Sequence, residues 1–217
     1  VRIMFSDGNV RNIDVSGEGD VDLGEVSAAQ KSWATYTTEV EAAMDVVVDD
    51  SNRYLFAIGT SERTSDKKGH FYVYDILSDK VVAKPAFNLG NCRQIDYENG
   101  FCYVTSREDG MWIIDVSDPL NPVIANHYDT SEMATGITVY SDTVFVANRQ
   151  YGVDVVDVTD PYNPVFLTRI QTGEVQSLDV YEDMLFAGIW GEQKVLVVDI
   201  SDITAPKELY EIPLDGR

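Results

Sequence analysis

Short, nearly uniform runs of apolar residues recur along this chain, each followed by a polar corner. Gly110 to Val123 reads G-M-W-I-I-D-V-S-D-P-L-N-P-V, and 42 residues later Gly152 to Val165 reads G-V-D-V-V-D-V-T-D-P-Y-N-P-V. A weaker copy, V-L-V-V-D-I-S-D-I-T-A-P-K, runs from Val195 to Lys207. A fixed period of this length marks a repeat architecture, and the Val/Ile-rich runs are of strand type. In the corner, Asp118 and Asp160 are placed to accept hydrogen bonds from backbone two residues on. Pro119 and Pro161 pre-set φ for a turn, and Pro122 and Pro164 delay the next ladder. Each motif therefore predicts strand, tight corner, strand.

Within a run the side chains alternate between faces. Met111, Ile113 and Asp115 point one way and Trp112, Ile114 and Val116 the other, while Val195 and Val197 oppose Leu196, Val198 and Ile200. Both faces are largely apolar, whereas a sheet with one wet face would alternate cleanly. These sheets are expected to be covered on both sides, which favours small sheets packed face to face around a ring over a single sandwich. The expected fold is an all-β propeller of four-stranded blades about 42 residues long, four complete and most of a fifth.

The chain divides on this frame into a partial blade with an expanded loop at 1–42 and blades at 43–88, 89–130, 131–172 and 173–217. In the first segment, Val1 to Phe5 reads as a second strand that turns through Asp7-Gly8 into N-V-R-N-I-D-V-S. A short strand at Val21 to Leu23 and an outer strand near Lys31 to Thr37 follow, with a short helix bearing Trp33, Tyr36 and Val40 as the competing reading. The first full unit places strands near Met44 to Val48, Tyr54 to Ile58, Phe71 to Ile76 and Val81 to Ala86. Since unpaired edges invite aggregation, the chain is expected to be a portion of a longer one. A strand beyond Arg217 would then close a five-bladed ring, or the array belongs to a larger ring.

The G-V-D-V-V-D-V-T-D-P-Y-N-P-V, G-M-W-I-I-D-V-S-D-P-L-N-P-V and V-L-V-V-D-I-S-D segments resemble the LVIVD repeat, found mainly in bacterial and archaeal extracellular or surface proteins. The resemblance covers Ala43 to Ile212 well and Val1 to Ala42 loosely, and departs from the pattern at Leu77 to Lys80, where L-S-D-K replaces S-D-P. It implies a β-propeller and, for many relatives, export and attachment to the cell surface, without a definite activity.

Charge narrows the partners. Sixteen Lys and Arg against 37 Asp and Glu give a net charge of −21, which opposes binding to nucleic acid. No apolar run is long enough for a membrane-spanning helix. Cys92 and Cys102 flank a hairpin turn at Asn99-Gly100 that puts Cys102 opposite Tyr97, so both are expected to be free thiols.

The repeated Asp14, Asp75, Asp115, Asp157 and Asp199 read first as structural acceptors near the corner rather than as a ring of metal ligands. Function is expected where the units differ. The loops sharing one face carry Arg107, Glu108, Arg149, Tyr151, Trp190 and Glu192, together with Asp129 to Met133; a protein, small-molecule or glycan ligand would bind there. Trp190, flanked by glycines in G-I-W-G, is either a binding anchor or ordinary packing over a blade end. Arg93, Asp96, Thr138, Gln176 and Asp179 are expected along the axial channel. His70 and His127 stand far apart in the repeat frame, and no hydrolase, zincin, phosphate-loop or dinucleotide motif is present. The expectation is a non-enzymatic extracellular or cell-surface binding module or scaffold without a cofactor. The alternative is a Ca²⁺-dependent lactonase-like or esterase-like propeller hydrolase using Asp96 and Asp179, since hard cations need oxygen ligands.

Overall fold

A computed structural model describes residues 2–4, 10–12, 41–61 and 68–214. The chain forms two compact units, Val1–Glu39 and Val40–Arg217. In the first, strand β1 (Arg2–Met4) pairs antiparallel with β2 (Val10–Asn12); the turn expected at Asp7-Gly8 lies outside the described residues. Asp14 and the segments Val21 to Leu23 and Lys31 to Thr37 lie outside the described residues.

The second unit consists of four antiparallel sheets of four strands each. The first holds β3 (Glu41–Val48), β4 (Tyr54–Ser61), β5 (Gly69–Asp75) and β6 (Lys80–Ala83). The second holds β7 (Ile95–Glu98), β8 (Phe101–Thr105), β9 (Met111–Asp115) and β10 (Val123–Tyr128). The third holds β11 (Gly136–Tyr140), β12 (Thr143–Ala147), β13 (Val153–Asp157) and β14 (Val165–Ile170). The fourth holds β15 (Val175–Tyr181), β16 (Met184–Ile189), β17 (Lys194–Asp199) and β18 (Lys207–Pro213). Spatial order follows chain order in every sheet, so each is a meander whose neighbouring strands are close in sequence.

The turns follow from local chemistry. Asn99 (φ 50°) and Gly100 (φ 85°) join β7 to β8 with both central residues left-handed, the two-residue hairpin that matches strand twist. Ser141 (φ 46°) and Asp142 (φ 59°) do the same between β11 and β12. At the corner after each third strand a repeated carboxylate caps the turn. Asp115 accepts from the Ser117 N–H at 2.9 Å, Asp157 from Thr159 at 2.8 Å, Asp199 from Ser201 at 2.9 Å and Asp75 from Leu77 at 2.9 Å. One step on, Asp118, Asp160 and Asp202 each accept a backbone N–H at 3.1 Å from Leu120, Tyr162 and Thr204. The repeated aspartates are turn-building residues.

Consecutive sheets pack face to face. Phe56, Ile58, Phe71 and Val73 of the first meet Cys102, Val104, Ile114 and Val116 of the second. Tyr103, Met111 and Ile113 meet Val144, Val146, Val156 and Val158 of the third. Phe145, Ala147, Val153 and Val155 meet Leu185, Ala187, Ile189, Leu196 and Val198 of the fourth. This is why both faces of the runs are apolar: the hydrophobic effect at each interface needs one face from each neighbour. Both cysteines are free and buried, and burial pushes the Cys92 thiol up to about 11 and Cys102 well above its ordinary value.

Candidate functional site

The first strands of consecutive sheets are tied by side chains. Asp45 accepts the Ile95 N–H at 3.1 Å, Gln94 the Ile137 N–H at 3.2 Å and Asp96 the Val139 N–H at 2.9 Å. The Glu98 carboxylate accepts from Ser141 and Asp142 at 3.3 and 3.4 Å. The other Asp96 oxygen takes the Tyr97 N–H at 2.8 Å, so both oxygens are engaged by backbone. Burial raises the Asp96 carboxyl, against the pull of the Val139 and Tyr97 N–H groups and the Thr138 hydroxyl. Asp179, at the register of Asp96 two sheets on, is exposed and accepts the Val180 N–H at 2.9 Å. Thr138 lies between these two carboxylates in the order of sheets, and Arg93 precedes β7, its N–H donating to Thr105 O at 2.8 Å. Among the described residues no three His, Cys, Asp or Glu side chains cluster to hold a metal ion.

The turns between second and third strands hold the residues singled out for binding. Arg107, Arg149 and Trp190 each stand six positions after the start of their second strand. Arg107 (φ 22°) and Arg149 (φ 42°) are left-handed, each at the head of a tight turn closed by the Gly110 and Gly152 N–H groups at 3.4 Å. The Arg149 guanidinium pairs with Glu174 at 3.0 Å and leans on Met133. Glu174 also takes the Gln176 amide at 3.2 Å, and its carbonyl accepts the Trp190 N–H at 2.8 Å. Arg149, Gln176 and Trp190 are thereby joined through one residue that the repeat pattern did not single out. Tyr151 is exposed with the Arg169 guanidinium over its ring at 5.6 Å, Glu108 is exposed, and Glu192 pairs with Lys194 at 2.6 Å. Arg107 and Glu108 stay on the second sheet, where Arg107 O accepts the Ala134 N–H at 2.9 Å, and neither makes a hydrogen bond or ion pair with Glu174.

Trp190 is 73% exposed. It borders an open cavity of about 630 Å³ lined by Gln176, Ser177, Gly188, Ile189, Gly191, Gln193, Lys194 and Leu214. Of these only Gln176 was legible as a site residue. Of the rest, Ser177, Gly188, Ile189 and Lys194 are strand positions, Gly191 and Gln193 belong to the turn, and Leu214 follows the last strand. His127 stacks on Trp112 with ring centroids 4.0 Å apart, and His70 sits near Tyr72 on the first sheet, so the two histidines form no common site.

The class defined by these features is an all-β array of repeated four-stranded sheets. A family model for the LVIVD repeat matches residues 89–130, 132–172 and 172–211, more than half of the chain, and the chain belongs to the LVIVD-repeat family. The match starts beyond the first sheet, where L-S-D-K replaces the usual corner. Among solved structures, a functionally unknown protein from Desulfotomaculum acetoxidans aligns with TM-score 0.60 at 14% identity, over 78% of this chain and 55% of that one. The computationally designed Ika4 protein aligns with TM-score 0.56 at 10% identity, over 80% and 94% of the two chains. The designed Ika8 protein aligns with TM-score 0.57 at 11% identity, over 74% and 46%. These likenesses extend to the fold alone. No curated protein matches.

Proposed function

We propose that this chain is a sector of a β-propeller that works as a non-enzymatic extracellular or cell-surface binding module, engaging a protein, glycan or other small ligand through the turns between second and third strands. The observation that carries the reading is the division of labour among polar side chains. The aspartates that recur in the four four-stranded sheets serve backbone turns, and Asp96 has both oxygens on N–H groups. The position six residues after the start of the second strand instead carries Arg107, Arg149 and Trp190 in the last three sheets, two guanidinium groups and then an indole on a repeated frame. A scaffold whose turns carry different side chains, Trp190 exposed and Arg107 and Arg149 partly so, is the arrangement binding proteins use. The placement outside the cell rests on the family resemblance.

Trp190 supplies the test. It is one of three tryptophans, and its emission reports on its surroundings. Titration with panels of oligosaccharides and extended peptides is expected to give a saturable change that Trp190→Phe removes and Arg149→Ala weakens. Turnover of esters or lactones that needs calcium and is lost in the Asp96→Ala, Asp179→Ala double variant would replace this reading with a hydrolase.

A further inference from the structure

The segment between β10 and β11 crosses from the second sheet to the third and is pinned along its length. The Thr130 hydroxyl donates to Glu132 O at 2.6 Å, and the Glu132 N–H donates to the Asn148 side-chain oxygen at 2.8 Å. The Glu132 carboxylate accepts the Gln150 N–H at 3.1 Å, and the Ala134 N–H donates to Arg107 O at 2.9 Å. Met133 stands between two residues anchored in this way, so the turns of two sheets fix its backbone. Its side chain is half-buried, and its sulfur lies 3.6 Å from a terminal nitrogen of the Arg149 guanidinium.

That contact is the weak member of a strong set. The Arg149 Nε–H donates to the Glu174 carboxylate at 3.0 Å, a charge-assisted bond. The nitrogen that faces Met133 meets a thioether, which is a poor acceptor. Glu174 in turn takes the Gln176 amide at 3.2 Å and, through its carbonyl, the Trp190 N–H at 2.8 Å. Met133 therefore touches the cation that joins the turn of the third sheet to the entry of the fourth.

Oxidation to the sulfoxide turns an apolar thioether into a polar group with a strong acceptor oxygen. At Met111, fully buried beside Ile113, Val144 and Val146, that oxygen would enter an apolar core without a donor and cost stability. At Met133 it would meet a guanidinium N–H already placed at the sulfur. The same chemistry breaks packing at one methionine and makes a hydrogen bond at the other.

We infer that Met133 is a site of reversible sulfoxidation by hydroperoxides, and that its sulfoxide locks Arg149 in place. A sulfur lone pair attacks the terminal peroxide oxygen, and the S–O bond forms as the O–O bond breaks. The proton passes to the leaving oxygen, which departs as water or an alcohol; sulfur gives up two electrons and the peroxide takes them. A dithiol reductase reverses the step, releasing the oxygen as water while its two thiols become a disulfide. In the oxidised form Arg149 holds two acceptors, Glu174 and the new oxygen, so its turn is tied to the segments entering the third and fourth sheets together.

The test begins with graded hydrogen peroxide on the full chain and peptide mass mapping, which is expected to place an oxygen on Met133 at least several-fold faster than on Met111. Solvent exchange of the Arg149 Nε–H, followed by nuclear magnetic resonance, is expected to slow several-fold on oxidation and to recover after methionine sulfoxide reductase. In Met133→Leu that exchange should not respond to peroxide. In Arg149→Ala, oxidation is expected to lower the melting temperature more than in the unmodified chain, because the new oxygen has lost its donor. The other methionines contribute alike to both proteins. Met133 oxidised no faster than Met111, Nε–H exchange unmoved or accelerated by oxidation, a response that survives Met133→Leu, or equal melting shifts with and without Arg149 overturns the inference. Should either substitution unfold the chain, the unmodified protein before oxidation, after it and after the reductase decides alone. None of these readouts uses a ligand, so they stand or fall separately from the titration of Trp190.

Discussion

Asp154 and Arg169 form the most enclosed ion pair among the described residues. The carboxylate, on a residue 1% exposed, takes the guanidinium at 2.5 Å and the Asn148 amide at 3.2 Å, and Arg169 reaches on to Ser131 at 3.1 Å. A buried charge that loses its partner keeps its desolvation cost. Arg169→Met is therefore expected to cost about 3–5 kcal/mol in denaturant unfolding. The double variant Asp154→Leu, Arg169→Met should recover a large part of that, which a surface pair would not show. Neither residue stood out in the sequence, because an Asp inside an apolar run reads as an interruption until its partner on the neighbouring strand is known. The corner aspartates were legible for the opposite reason: Asp115 and Asp157 bond within two residues of themselves, so their role is written in local spacing.

At the scale of elements, the tight turns between second and third strands set how closely the fourth strand approaches. Gly152 has φ +93°, and a Cβ there would run into the carbonyl oxygen of Ile170; Gly110 stands in the same relation to Tyr128 at φ +71°. Gly152→Ala combines backbone strain with overpacking and is expected to cost about 2–4 kcal/mol. Gly191→Ala, which meets nothing within 4 Å, should change stability little, and paired thermal melts of the two variants check the contrast. Strands and corners were readable because period and turn chemistry are local. The ties from Gln94 to Ile137 and Asp96 to Val139 were not, since their partners lie 43 residues away. Asp96 consequently looked like a free axial carboxylate. The cavity was hidden likewise: Lys194 and Leu214 read as strand and tail residues, and only Trp190 and Gln176 carried a signal.

For the whole molecule the carboxylates govern the response to pH and salt. Hydrogen bonds from the Thr159 N–H and hydroxyl hold Asp157 below the usual carboxylate range, as the hydroxyl and N–H of Ser201 do for Asp199 and those of Thr204 for Asp202. Burial works to raise Asp115 and Asp75, but the Ser117 and Tyr162 hydroxyls in one case and Arg53 with two N–H groups in the other outweigh it. Lowered folded-state values mean the unfolded chain binds more protons, so this stability is present above the ordinary carboxylate range and is lost as pH falls through the lowered values. The raised Asp96 acts with the opposite sign, one group against five. Urea titrations at stepped pH are expected to show the midpoint falling steadily on the acid side. At neutral pH the net charge of −21 is self-repulsive, so added monovalent salt should raise the melting temperature. Exhaustive dialysis against a chelator is expected to leave the melting temperature unchanged, and a calcium-dependent shift lost in the Asp96, Asp179 double variant would contradict that.

The side-chain ties between first strands give the chain a mechanical grain. Each joins residues about one repeat apart, so a pull on the two ends loads the sheets in series and never shears the whole array at once. When the outermost sheet yields, it frees one repeat of 42 residues, about 15 nm of extended chain, and leaves its neighbour to bear the same load. Stretching a single molecule should give a sawtooth of evenly spaced rips, a strap that pays out in measured lengths.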